Sequence, residues 1–324
     1  MLYHPDRPLD DLVAGYRLCA RSEGKSPVSI EIVTSSVSYF IRFLTDQGEI
    51  PSAGSIARDH IRAYILHLNQ RRCFQDHPLI PSQDRGLSPV TINGYLRGLR
   101  IFFSWLVAEE VIAHHPFDQV KLPRLPRYII PTFNESQLRS LLGAIDPSLS
   151  TGYRDHAIII VLLDTGLRVS ELTGLKVEDV YHEDGMLRVW GKGSKERLVP
   201  VGKQAGRYLW RYITHHRAEP FTPLVSQVFL TKEGRPMQRR RVQSMMTRYG
   251  QKAGLVGVRC SPHTLRHTAA VTFLRHGGNL FALQRILGHS QLDMTRRYCE
   301  LADMDVKRAH RVASPADNLS LGLR

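Results

Sequence analysis

Between residues 121 and 132 the chain reads KLPRLPRYIIPT, with prolines at positions 123, 126 and 131. Each proline removes a backbone N–H and fixes φ, so neither a helix nor a central strand runs through this spacing. Whatever the chain folds into is broken here. Each side holds enough sequence to bury a core of its own. Charge divides at the same place. Residues 1–122 hold 13 Lys+Arg against 13 Asp+Glu, and residues 123–324 hold 31 against 17, so the whole net charge of +14 lies in the second part. An excess gathered on one domain points to a polyanionic partner. The break carries Lys121, Arg124 and Arg127, which read as a basic strap along a phosphate backbone.

The first part reads as all helix. Leu9, Leu12, Val13, Tyr16 and Leu18 follow helical period, and Ser26-Pro27 and Ser88-Pro89 are N-cap and first-turn pairs opening two longer apolar helices. A further helix is expected over about 61–71, and the polar segment 73–86 reads as a loop. Four helices of this size make a small bundle.

The second part alternates. Asn134 to Gln137 has a capping-box pattern, and 153–164 is an apolar helix broken by Thr165-Gly166. Short β-like runs at 177–181, 186–190 and 197–201, separated by turn signals, predict a three-stranded meander on the solvent side of a helical domain. Helices resume at about 203–215 and 238–253.

The chemistry gathers in Ser261–Tyr298. Ser261-Pro262 starts a helix, and His263 and Arg266 are three apart on one of its faces. His289 follows twenty-three residues after Arg266, and Tyr298 nine after that. A guanidinium, two imidazoles and a phenol, with no carboxylate pair and no phosphate-cradling glycine loop, suit a phosphodiester. Cys260, His263 and His267 have a C-x2-H-x3-H spacing, but three ligands without a second cysteine pair make a poor zinc site. His267 reads as a packed or hydrogen-bonded helix residue, and Cys299 as buried packing.

The segments TGLRVSEL (165–172), GKGSKER (191–197), HTLRH (263–267), LGHS (287–290) and Tyr298, in that order and spacing, resemble the tyrosine recombinase family of phage integrases and Xer-type enzymes. The resemblance covers about 133–300. It implies a mainly α fold: an N-terminal four-helix core-binding (SAM-like) bundle at 1–122, a linker at 123–132, a mixed α+β catalytic domain with a small three-stranded antiparallel sheet at 133–310, and a tail at 311–324. It implies that Tyr298 attacks the scissile phosphate, that Arg168 and Arg266 hold the non-bridging oxygens, and that His289 donates to those oxygens. His263 would be base or proton relay, Lys192 the general acid and Glu171 an orienting group. Lys192 has a competitor in Lys195 on the same turn, and chemistry alone does not rank them. Lys195, Arg197, Arg124, Arg127 and the run Arg239-Arg240-Arg241 fall to DNA-backbone contacts.

The resemblance also implies a 3′-phosphotyrosyl intermediate without metal, ATP or other cofactor. The partners are double-stranded DNA with inverted-repeat core sites and a homo-tetramer, or paired hetero-tetramer, with the tail docking on a neighbour. Integration or excision of a mobile element and Xer-type resolution are both expected uses. The alternatives are type IB topoisomerase-like relaxation and a non-catalytic DNA-binding protein of the same fold. No domain precedes the bundle, which argues against a larger arm-site-binding integrase. Four scattered cysteines (Cys19, Cys73, Cys260, Cys299) read as reduced thiols. The N-terminus has no signal pattern, and the longest apolar run, Ala157–Leu163, is too short to cross a bilayer. The expectation is a cytoplasmic, nucleoid-associated protein without membrane contact.

Overall fold

The computed structural model describes residues 4–75, 81–123, 125, 131–191, 196–289, 295, 298–299, 310 and 314–318. It falls into two compact units that divide at Tyr128/Ile129, inside the proline-rich break.

In the first unit, α1 (Leu9–Ser22), α2 (Pro27–Thr45), α3 (Arg58–Gln70) and α4 (Pro89–Ala108) form the expected bundle. The Ser26 and Ser88 hydroxyls accept from the backbone N–H groups of Ser29 and Thr91, satisfying first-turn donors that have no partner within the helix. The core is aromatic: Tyr16, Phe40, Tyr64, Phe102 and Phe103 are buried, with edge-on contacts such as Phe40–Tyr64 at 5.0 Å between ring centroids. Gly98 on α4 lies directly against Ser36 on α2, where a larger residue would hold the two helices apart. The segment read as a loop contains a small hairpin, β1 (Arg72–Cys73) paired antiparallel with β2 (Gln83–Gly86). These strands are too short and too exposed to show an alternating pattern.

In the second unit, α5 (Glu135–Gly143) has its expected box: Asn134 Oδ1 accepts from Gln137 N–H and Gln137 Oε1 from Asn134 N–H. The buried α6 (Ser150–Thr165) stops at Gly166, whose φ of 61° only glycine adopts readily. The chain then turns into α7 (Val169–Gly174). The meander is β3 (Val180–Tyr181), β4 (Met186–Trp190) and β5 (Glu196–Pro200), antiparallel in that order. Val177–Asp179, read as strand, is a 3-10 turn. The sheet has one face inside: Leu187, Val189 and Val199 join the main core with α6 residues. It is therefore a structural layer under the site, more than a solvent-side ornament. Helices α8 (Lys203–Arg211, continued by a π turn at Tyr212–His216), α9 (Arg239–Lys252), α10 (Pro262–Arg275) and α11 (Leu280–Leu287) complete the unit. Within the tail, Pro315–Asn318 forms a helical turn.

Candidate active site

Three chain reversals bring the site together. Gly166 ends α6 and places Arg168 at the N-cap of α7. Ser261 caps α10 through the Thr264 N–H, with Pro262 in the first turn. Gly288, φ 63°, ends α11 and turns the chain to His289. The carbonyl ahead of that turn, Leu287 O, is where two cations meet: Arg266 Nη2 donates to it at 2.8 Å and Arg168 Nη1 at 3.3 Å. Arg266 also donates to Gly166 O at 2.6 Å and to His289 Nε2 at 2.9 Å. Arg168 Nη2 reaches Gly288 O at 3.4 Å.

Arg266 is only 4% exposed. Burial, and next the charge of Arg168, push its pKa down to about 10. It still carries its charge at neutral pH, so a buried cation stands beside the Arg168 guanidinium. Because Arg266 donates to His289 Nε2, that nitrogen holds no proton and Nδ1–H donates to Thr295 Oγ1 at 3.0 Å. Burial, followed by Arg266, Arg168 and Arg197, lowers the His289 pKa to about 4. Both ring nitrogens are therefore engaged, and His289 can donate from Nε2 to a phosphate oxygen only after Arg266 releases it.

Glu171 holds the other side. Its carboxylate accepts from Arg168 N–H and Nη1, both at 2.9 Å, and from Arg197 Nη1 and Nη2, also at 2.9 Å. Arg197 Nε donates to Ile286 O at 2.9 Å. All three Arg197 nitrogens are thus committed inside the protein. Its expected place was the DNA backbone; β5 instead turns it inward, 15% exposed, as a brace for Glu171 and α11. Burial by itself would raise the Glu171 carboxyl, but Arg197 and Arg168 outweigh it and hold the pKa below its ordinary value.

A group with a depressed folded pKa contributes stability that is complete above its ordinary value and lost as pH falls through the folded value. Glu171→Gln should therefore cost on the order of 3 kcal/mol at pH 7, because it leaves two partly buried guanidiniums without their anion. The gap to the parent should close below the ordinary carboxyl pKa of 4.5. Urea unfolding at pH 7 and at acid pH checks this, and an equal gap at both would remove Glu171 from the role.

Tyr298 is 4% exposed and packs with Ala270, Val271, Leu274, Leu283 and Leu287. Its ring lies parallel to His289, 6.3 Å between centroids. Burial raises its pKa, and Arg266 and Arg168 pull it partly back. The hydroxyl sits 2.8 Å from His267 Nδ1. His263, the expected relay, stacks on His267 at 5.9 Å, and among the described residues no hydrogen bond joins it to Tyr298. Burial, then Arg266 and Arg168, lower the His263 pKa. Lys192, Lys195, Arg124 and Arg127 lie outside the described residues. Arg239, Arg240 and Arg241 are exposed on the first turn of α9, and Arg240 borders a shallow cleft with Arg248. Cys260 packs against Gly250, and burial pushes its thiol up to about 11.

One feature had no signal in the overall charge. In the first unit a cavity of about 570 Å³ is lined by Arg17, Arg42, Arg71, Arg72 and Arg85. Arg71 lies over the Tyr39 ring at 5.4 Å, and Arg72 pairs with Asp84 at 3.1 Å.

Residues 131–304 match the model of the phage integrase family. Tyrosine recombinase XerD of Pseudomonas putida is 38% identical over 233 residues, which is 72% of this chain and 78% of that protein. XerD of Shewanella oneidensis is 32% identical over 311 residues, 96% of each chain. Among solved structures, the Tn1549 transposon integrase in complex with transposon right end DNA has a TM-score of 0.70 at 23% identity, covering 92% of this chain and 98% of that one. XerH bound to palindromic difH substrate has a TM-score of 0.69 at 19% identity, covering 93% and 84%. These two likenesses are of fold. The family match, the XerD relatives and the convergence of Arg168, Arg266, His289 and Tyr298 lead to one conclusion: this chain belongs to the phage integrase family and is a tyrosine recombinase, a DNA strand-exchange enzyme.

Proposed function

We propose that the chain cuts and rejoins duplex DNA through a 3′-phosphotyrosyl link to Tyr298. The observation that carries this reading is the shared carbonyl of Leu287, which sets two guanidiniums side by side next to a buried phenol. A phosphodiester entering there meets Arg168 and Arg266 at its non-bridging oxygens. Their planar, permanently charged forks stabilise the negative charge that grows there in the pentacoordinate state. Engaging the phosphate draws Arg266 off His289, which frees Nε2 to take a proton from solvent and donate it in a hydrogen bond to the phosphate oxygens. Tyr298 attacks, the 5′-oxygen departs, and Lys192, which lies between β4 and β5 in the sequence, supplies its proton. The link keeps the phosphodiester energy, so a second 5′-hydroxyl reverses the step on another strand with neither metal nor nucleotide.

Recombination by two such exchanges uses four subunits on paired inverted-repeat sites. The exposed Arg239, Arg240 and Arg241 and the arginine-lined cavity of the first unit supply phosphate contacts on each unit. The XerD relatives favour resolution of DNA multimers. The same chemistry also integrates mobile elements, and the Tn1549 integrase has the same fold.

The test is to incubate the protein with fragmented genomic DNA, stop with detergent and sequence the protein-linked 3′ ends. Adducts with free 5′-hydroxyls at inverted repeats, undiminished by EDTA, are expected. Junctions at one chromosomal locus would assign resolution, and junctions at element ends would assign integration. Relaxation of plasmids of any sequence would assign a topoisomerase instead, and an absence of covalent adducts would sink the reading.

A further inference from the structure

We propose that His267, through Nδ1, takes the proton of the Tyr298 hydroxyl as that oxygen attacks phosphorus. The proposal rests on Tyr298 being the nucleophile.

Among the described residues, the one hydrogen bond of the Tyr298 hydroxyl runs to His267 Nδ1, at 2.8 Å. Burial, then His263 and Arg266, lower the His267 pKa to about 4, so the ring is neutral at pH 7. The phenol is pushed up and keeps its proton. With both groups neutral, the proposed arrangement has the hydroxyl donating, Nδ1 accepting and the ring proton on Nε2. The charged or titratable groups acting on the ring are His263 and Arg266 from α10 itself and Tyr298 from the segment packed against it. His267 also falls one residue after Arg266, so the helix that buries the cation carries the acceptor beside it.

His267 is a weak base first because it is buried and then because of the positive field of His263 and Arg266. A phosphodiester brings negative charge to Arg266, offsets that field and raises the basicity of Nδ1 when a base is needed. The step balances. The Oη–H bond breaks and its proton moves to Nδ1, while an oxygen lone pair forms the Oη–P bond. The P–O5′ bond breaks, its electron pair leaves on the 5′-oxygen, and that oxygen takes a proton from the acid on the β4–β5 turn. In religation the imidazolium returns its proton to Tyr298. His263, stacked on His267 without a bond to the nucleophile, is then a neighbour that sets its field.

The experiment uses the full chain on a nicked duplex carrying a junction mapped with the parent enzyme. The same duplex is also made with a 5′-bridging phosphorothiolate, whose sulfur leaves without an acid. H267A removes the acceptor. H267N places an amide oxygen near the Nδ1 position, which can accept a hydrogen bond but cannot take a proton. Both should lower single-turnover cleavage by roughly 10²- to 10³-fold with duplex affinity unchanged. The loss should persist on the phosphorothiolate, and the acid limb of the pH–rate profile should vanish. If H267N stays within a few-fold of the parent, His267 only orients the hydroxyl and the proposal falls. It also falls if H267A retains activity or if the phosphorothiolate restores either variant. A measurement on the unaltered protein stands apart from folding of the variants: ¹⁵N spectra should show His267 protonated at Nε2, and an Nδ1–H tautomer overturns the proposal. Failure of the parent to form any adduct would instead strike the reading of Tyr298.

Discussion

Tyr298→Phe should abolish covalent protein–DNA adducts while leaving duplex affinity within about twofold, because it removes the attacking atom and nothing that meets DNA elsewhere. The ring it keeps is the part that packs. Tyr298 is buried against Ala270, Val271, Leu274, Leu283 and Leu287, and phenylalanine fills the same space. The lost atom made one hydrogen bond, to His267 Nδ1, so the stability cost should be about 1 kcal/mol. The effect on chemistry and the effect on fold are thus separated by many orders of magnitude, which makes the variant decisive. Two readouts are needed, a detergent-resistant adduct and a mobility shift. Adducts that persist would mean another nucleophile, with the Cys299 thiol next in the chain as the first to check. In the parent enzyme, burial holds the phenol above its ordinary pKa of 10 against the pull of Arg266 and Arg168, so cleavage at neutral pH needs a base to take its proton.

The parts of this site legible in the sequence were those set by local spacing. His263, Arg266 and the serine cap lie on one helix, and Gly166 and Gly288 mark turns that only a left-handed residue makes easily. The bundle was legible for a similar reason, since four amphipathic helices announce themselves by period and by Ser-Pro starts. What was not legible depends on which way a side chain points after the elements pack. Arg197 sits in a hairpin rich in cations and reads as one more phosphate contact. Only the register Val189↔Arg197 and the approach of α11 show it turned inward onto Glu171 and Ile286 O. His267 is one residue past a conspicuous arginine and reads as helix packing, because its partner is thirty-one residues away. The arginine-lined cavity of the first unit was hidden by arithmetic: residues 1–122 carry no net charge and still gather five arginines in one place. The short hairpin β1–β2 lacked enough residues to show a period. Lys192 stays a reading of the turn sequence, outside the described residues.

Arg266→Ala should slow single-turnover cleavage by on the order of 10³-fold, the upper end of what losing one oxyanion donor gives. The size of that loss comes from where the charge is kept. A buried cation beside Arg168, with its pKa brought from 12.5 to about 10, is strained by roughly 3 kcal/mol in the DNA-free protein, and an arriving phosphate relieves that strain. The ground state is poor and the transition state, with more negative charge on the same oxygens, is the better match. The same strain predicts a stability effect smaller than burial alone would suggest. Alanine leaves Gly166 O and His289 Nε2 without their donor, but it also removes a like charge from Arg168. Thermal unfolding should therefore shift by only a few degrees while cleavage collapses. Lysine should not restore the rate. Its single ammonium cannot hold the Gly166 and Leu287 carbonyls and the phosphate with one planar fork. A substrate with one non-bridging oxygen of the scissile phosphate replaced by methyl gives the control. It carries no charge for Arg266 to neutralise, so the ratio of parent to Arg266→Ala rates should shrink by at least about tenfold. A ratio that stays constant would show that Arg266 acts by holding Gly166, Leu287 and His289 in place, and that the charge clamp is made elsewhere.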